Sequence, residues 1–323
     1  NAANTAVALA RLGEVVGLVA KIGPDSAGVQ IRSELEHEGV DCTYLIEGQP
    51  GECTITAFVI SAGDTRTIIS MPTAQRCRDL MAGNVSPSML DEVALLTLDG
   101  RNVEAALSLA RAARDRGVQI LCEAERGIVD EADLLRLLQH ADYVVTNDSY
   151  PCGVTGEADI CSALRVLLRD LAPRAQWVVS TLGSKGCVAV VRPGSDSIDS
   201  CGGTGWTELR HDAWPLGKTG RAVVDTTGAG DAFIGGLACA VRRGMKLERS
   251  LKLATYVAAM NCCGHGARGG LPSLEDARQE FPELLTSSSE ANVLVAEPCM
   301  KKLRTSSEVG YTTDVGDDDE KLL

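Results

Sequence analysis

Aromatic rings are scarce in this chain: Phe, Trp and Tyr make up 3% of its 323 residues. A core with few rings is filled by aliphatic and alanine side chains, as where helices pack on a parallel sheet. Positive charge is also short. Lys and Arg number 31 against 44 Asp and Glu, a formal net charge of −13, which excludes the concentrated basic surface that displaces counterions from nucleic acid. Histidine occurs four times, at His37, His140, His211 and His265, with no pair at ligand spacing, so a zinc or non-haem iron site is excluded. No apolar run approaches the roughly 20 residues that span a bilayer, and no membrane partner is expected. The twelve cysteines contain no CxxC pair and are expected as reduced thiols in a cytoplasmic protein. There is no G-x-S-x-G elbow of an α/β hydrolase.

What is present is a 45% hydrophobic chain long enough for one large domain, with or without a small one. Unbroken apolar runs predict buried strands at 15–20, 93–98, 118–121, 143–146, 177–180 and 187–191. Helical periodicity falls at 2–12 (stopped by Gly13), 25–38, 103–116, 131–139 and 160–171. Strands alternating with helices predict βαβ units and an α/β fold with a mostly parallel central sheet. One segment breaks the rhythm: TITAFVI (54–60) and TIIS (67–70) have no helix between them and read as a small antiparallel lid. The expected organisation is an α/β domain over 1–39 and 72–284, a β-lid insertion over 40–71, and a disordered acidic tail over 285–323. Residues 192–220, rich in Gly, Ser and Asp, read as an irregular surface insertion.

The segment VVDTTGAGDAFIGG, residues 223–236, carries the chemistry. An apolar run at 222–224 is expected to end a strand, Gly228 and Gly230 to make a tight turn, and a helix to follow. Amides at a helix start converge on an anion. A carboxylate there, Asp231, repels phosphate but can take a proton from an alcohol that attacks phosphorus. The alternative is that Asp231 is a helix N-cap and nothing more. Asn1 and Asn4 admit the same reading.

The run Asp225-Thr226-x-Gly228-Ala229-Gly230-Asp231-x-Phe233 resembles the second signature of the ribokinase (PfkB) family of carbohydrate and nucleoside kinases, and the resemblance covers about residues 1–284. NAANTAVALARLG followed by GLVAKIGPDSAG is similar to the family's first signature, CEAER (122–126) to a run of ketohexokinase-like and plant PfkB members, and STLGSKG (180–186) to a segment beside nucleotide phosphates. GHGARGGLP (264–272) resembles the loop closing the adenine pocket and cation site. The resemblance implies a ribokinase-like three-layer α/β/α fold with a small β-lid, and an ATP-dependent kinase using Mg²⁺ and K⁺ on a ketohexose-like sugar. A nucleoside acceptor or a silent binding protein is the other reading. By resemblance Asp231 is the base and Gly228, Ala229 and Gly230 form the anion hole. Asn1, Asn4 and Asp25 are expected to bind substrate, and Arg66, in the lid ribbon, to touch the sugar or to face water. Thr181, Gly183, Gly186 and Gly266 bind nucleotide, and Asp225 and Thr227 hold the monovalent cation.

Two departures stand out. The family's N-x-x-E is Asn147-Asp148-Ser149-Tyr150 here, so Asp148 or Glu157 is expected to replace the glutamate. The Gly-Gly pair and the first strand of the family pattern would precede Asn1; a sheet with that strand missing is expected to bind substrate weakly or to aggregate. Family members also suggest a homodimer through the lid.

Overall fold

The apolar runs fold as their periods require. The computed structural model describes residues 1–62, 65–70, 80–100, 102–125, 131–198, 205–218, 220–285 and 292–296. In chain order, α1 (Ala2–Arg11) leads into β1 (Val16–Ile22), then α2 (Ser26–His37) and β2 (Leu45–Glu47). A ribbon of β3 (Ala57–Ala62) and β4 (Thr65–Ser70) follows. The βα units are β5 (Val93–Leu98), α3 (Val103–Arg116), β6 (Gln119–Ala124), α4 (Glu131–Leu138), β7 (Tyr143–Asn147), α5 (Ser149–Thr155) and α6 (Ile160–Val166). The chain continues through β8 (Trp177–Thr181), β9 (Cys187–Val191), β10 (Thr207–His211), α7 (Ala229–Arg242), α8 (Leu247–Asn261) and α9 (Leu274–Glu280), and closes with β11 (Asn292–Ala296).

The nine-stranded sheet runs β10-β9-β8-β7-β6-β5-β11-β1-β2. All neighbours are parallel except at the β8-β9-β10 edge, which is antiparallel. One face is covered by α1, α7 and α8, the other by α3, α4 and α6, each burying an aliphatic cluster. The scarcity of rings shows in how helices meet. A Cβ on Gly235 would lie 2.5 Å from the Ala8 Cβ, and one on Gly236 3.0 Å from the Ala254 Cα. Two bare positions on α7 thus let α1 and α8 approach it closely.

Four sequence expectations are corrected. Residues 292–296 lie within the segment expected to be a disordered tail, yet β11 is the strand between β1 and β5. Val293, Leu294 and Val295 are at most 2% exposed, so the expected gap in the sheet is filled. A gap between two parallel strands leaves both their edges without ladder partners, and a short β-branched apolar run is what satisfies them. The lid insertion begins later than residue 40, because β2 joins the main sheet beside β1; the free ribbon is β3-β4, which starts at Ala57. Part of the 192–220 segment is regular, since β10 pairs antiparallel with β9 from Thr207 to His211. Residues 222–224 form no strand: Val223 and Val224 are 59% and 48% exposed, and the Val224 amide is held by the Cys262 carbonyl at 2.7 Å.

Candidate active site

The glycine turn is fixed by backbone conformation. Gly228 has φ +73° and is the N-cap of α7, a conformation that L-residues with side chains avoid. A Cβ there would also overlap the Ala267 backbone. Gly230 differs: its φ is not positive and no atom lies within 4 Å of where its Cβ would be. Protein packing therefore does not explain that bare position, which opens onto a cavity. The Ala229 amide is turned toward the Thr226 carbonyl at 3.2 Å, so of the three expected anion-hole amides this one is engaged in the turn.

Asp231 sits in the first turn of α7, two positions past the start, and is 8% exposed. It is not the N-cap. Its Oδ2 accepts a 2.7 Å hydrogen bond from Asn4 Nδ2, and its carbonyl accepts one from Thr5 Oγ1 at 3.3 Å. The close α1–α7 approach permitted by Gly235 brings Asn4 across 227 residues of chain to this carboxylate. Asn1 is the N-cap residue of α1 but makes no side-chain cap bond.

Two cavities flank this ridge. One, of about 420 Å³, is bordered by Gly230, Thr181, Gly183 and Gly186, with Trp214, Phe233 and Ala258 giving it an apolar wall. The other, of about 340 Å³, is lined by Asn1, Asn4, Lys21, Glu34, Thr54 and Arg268 among others. Gly230 faces the first and Asn4 the second, so the Asn4–Asp231 bond spans the divide.

Other expected residues are placed differently. Asp25 does not line either cavity; it caps α2 and binds Thr54. The side chain of Arg66 on β4 lies outside the described residues, as does Arg126 of the CEAER run. The Gly266 amide donates to Asp225 Oδ2 at 2.9 Å and does not face the apolar cavity. Asp225 Oδ1 takes the Thr227 amide at 2.9 Å, and the Thr227 side chain and these two amides hold the Asp225 carboxyl below the usual range. Asn261 is fully buried and its Nδ2 bridges the carbonyls of Thr227 and Ala267 at 3.1 Å each, so the 225–231 turn is laced to the 264–270 loop.

Some residues carried no assignment from sequence. Arg268 Nη2 pairs with Glu34 Oε2 at 2.8 Å, and Lys21 Nζ with Glu52 Oε2 at 3.3 Å. Glu123, at the end of β6, is pushed up to about 8 by burial first and then by the charges of Asp231, Asp99 and Glu125. Asn147 donates to Glu125 Oε1 at 3.3 Å while its own Oδ1 accepts from Ser149 and Tyr150. Asp148 and Glu157, the expected stand-ins for the missing glutamate, are exposed. Only the CEAER run hinted at the Glu125 position, and nothing local signalled Arg268 or Glu34. Among the described residues there is no cluster of three metal-ligating side chains, no helix long and apolar enough to cross a membrane, and the cysteines are free.

Comparison with known proteins bears on the family and the fold. The family model for pfkB carbohydrate kinases matches residues 1–274. A ribokinase of Bacillus subtilis is 26% identical over 289 residues, covering 88% of this chain and 86% of the relative. An ATP-dependent ribose-1-phosphate kinase of Halopiger xanaduensis is 26% identical, covering 83% and 81%. In fold, the chain resembles a putative ribokinase II from E. coli in complex with ATP and Mg²⁺ (TM-score 0.72, 21% identity, 87% and 88% covered). It also resembles the adenosine kinase of Sinorhizobium meliloti (TM-score 0.70, 24% identity, 86% and 81% covered). With the signature on the turn that starts α7 and the family match spanning most of its length, the chain belongs to the pfkB family of carbohydrate kinases.

Proposed function

We propose that the protein is an ATP-dependent kinase that phosphorylates a hydroxyl of a small neutral sugar, with a ketohexose as the acceptor suggested by the Asn1, Asn4 and CEAER pattern. The observation that carries this reading is the Asn4–Asp231 hydrogen bond on the ridge between the two cavities. The apolar cavity suits a purine and the polar one a monosaccharide. Charge in the polar cavity is balanced, Arg268 by Glu34 and Lys21 by Glu52, so a sugar already carrying phosphate gains no unpaired cation there.

In the proposed step, Asn1 and Asn4 orient the sugar, and Asp231 accepts the hydroxyl proton as the sugar oxygen bonds to phosphorus and ADP departs. Main-chain amides of the turn at Gly228 and Gly230 face the anionic side of the transfer. When bound, ATP supplies the phosphoryl group and Mg²⁺ offsets its charge. Mg²⁺ keeps several waters and needs few protein carboxylates, which suits this chain: Glu125, which accepts a hydrogen bond from Asn147, is the carboxylate we assign to a water-mediated contact with it. Asp225 and Thr227 are assigned to K⁺, and equal rates in K⁺ and Na⁺ would count against that. Phe58, Ile60 and Ile69 share one exposed face of the ribbon; a second copy is assigned to cover it, which a monomeric sedimentation profile at micromolar concentration would refute.

The direct test measures ADP release with ATP and Mg²⁺ against fructose, ribose, adenosine and a sugar phosphate. Sugar-dependent turnover supports the assignment. Turnover only with adenosine shifts the acceptor class, and thermal stabilisation by sugar without any turnover identifies a silent binding protein.

A further inference from the structure

Thr54 belongs to a segment that reads as plain strand, yet it is 8% exposed and fully engaged. Its Oγ1 donates to Asp25 Oδ1 at 2.6 Å and accepts from the Gly23 amide at 2.9 Å, while its own amide donates to Asp25 Oδ2 at 2.9 Å. Asp25 Oδ1 also takes the Gly28 amide at 2.9 Å, capping α2. Sterics reinforce the joint. A Cβ on Gly23 would overlap the backbone of Cys53 and Thr54, and one on Gly28 would overlap the Gly23 carbonyl and touch Thr54 Oγ1 at 3.0 Å. Three pieces of chain therefore cross at one point: the end of β1, the start of α2, and the root of the ribbon.

Each of these pieces also supplies a wall of the polar cavity: Lys21 and Ile22 from β1, Glu34 from α2, and Ile55 and Ala57 from the ribbon root. Thr54 itself lines the cavity, and Asp25 stands behind it. We propose that the Asp25–Thr54 clamp is the fixed hinge of the β3-β4 ribbon, and that Asp25, acting through the cavity-lining Thr54, is a positioning residue which sets acceptor affinity without touching the phosphoryl group. The proposal rests on the kinase reading for its kinetic arm alone. The hinge holds Ile55 and Thr56 against the cavity, so loosening it disperses the acceptor contacts while the apolar cavity, built from other elements, is unaffected.

Asn caps helices about as well as Asp, but its Nδ2 cannot accept the Thr54 amide. Asp25→Asn therefore separates clamp from cap. The expected result for Asp25→Asn and for Thr54→Val is an acceptor KM raised about tenfold, the scale of one hydrogen bond to a charged group, with KM for ATP within about twofold, and recovery in Thr54→Ser. Hydrogen exchange measured without any substrate is expected to quicken at residues 55–62 in both variants while residues 229–242 keep parental protection. That arm reads the hinge even where no sugar is turned over, so failure of the kinase assignment and failure of the hinge are told apart. A folded Asp25→Asn protein with parental exchange at 55–62, or with KM for ATP rising as much as KM for the acceptor, overturns the proposal.

Discussion

The two cavities on either side of Asp231 are built by different means. The apolar one takes its shape from main-chain turns: Gly183 and Gly186 at positive φ after β8, Gly228 at +73° before α7, and a Cys262 carbonyl gripping residues 224 and 225. The polar one is shaped by side chains that meet across long separations, Arg268 with Glu34, Lys21 with Glu52, and Asn4 with Asp231. A turn is specified by a few adjacent residues, whereas a side-chain pair needs the whole fold to bring its members together. The nucleotide side should accordingly tolerate side-chain changes and fail on backbone ones. The acceptor side should do the reverse.

The largest effect erases the contrast. Both cavities stand at the carboxyl ends of the sheet's parallel strands, among which β11 is an interior strand paired on both sides, with β1 and β5. Leu294→Pro removes a ladder hydrogen bond from a central strand and costs about 3 kcal/mol or more, against a total of roughly 5–15 kcal/mol for a typical domain. The expected outcome is loss of the cooperative melting transition, followed by circular dichroism. A variant that melts like the parent would show that β11 is not part of the working sheet.

Next in size is the ridge itself. Asp231→Asn keeps the shape and the chance of a hydrogen bond to Asn4 but removes the proton acceptor. Turnover should fall by about 10³-fold, within the range for a lost general base, with both KM values changed by less than about threefold. Steady-state kinetics with each substrate varied in turn checks this. Near-parental turnover would remove Asp231 from the mechanism.

A paired comparison sharpens the contrast directly. Gly228→Val forces a β-branched residue into a left-handed conformation against the Ala267 backbone, so KM for ATP should rise about tenfold with the acceptor KM little altered. Arg268→Ala leaves every turn intact and unpairs Glu34. Because that pair is 30% and 43% exposed, its loss is screened, and the acceptor KM should rise only a few-fold while KM for ATP stays put. If both variants shift the same KM, the two cavities are not independent sites.

The same division explains what was legible in the sequence. The βαβ alternation, the ribbon and the glycine turn were readable because each depends on neighbours in the chain. The pairs Arg268–Glu34 and Glu125–Asn147 were not, since the separations of 234 and 22 residues mean nothing until strands are ordered. Asp25 illustrates the subtler failure. Its place in a family-like signature suggested contact with substrate, but its carboxylate is occupied by one cap and one clamp. The NVLVA run of β11 carried a buried-strand pattern that its polar, acidic surroundings obscured, and composition outweighed periodicity where five residues mattered more.

The smallest effect concerns charge beneath the ridge. Glu123 lies where burial, then Asp231, Asp99 and Glu125, raise its carboxyl to about 8. Between its ordinary value of 4.5 and that folded value, the native state holds a proton that the unfolded chain releases. The folded form thus binds more protons across this window, and stability declines as pH rises through it. Glu123→Gln carries the neutral form permanently and removes this slope. Melting temperatures recorded from pH 5 to pH 9 should converge for parent and variant at the acid end and separate toward the alkaline end, with the variant higher. Parallel curves would mean that Glu123 is ionised in the folded protein, and the carboxylates around Asp231 would then have to share their charge through a countercharge held in one of the two cavities.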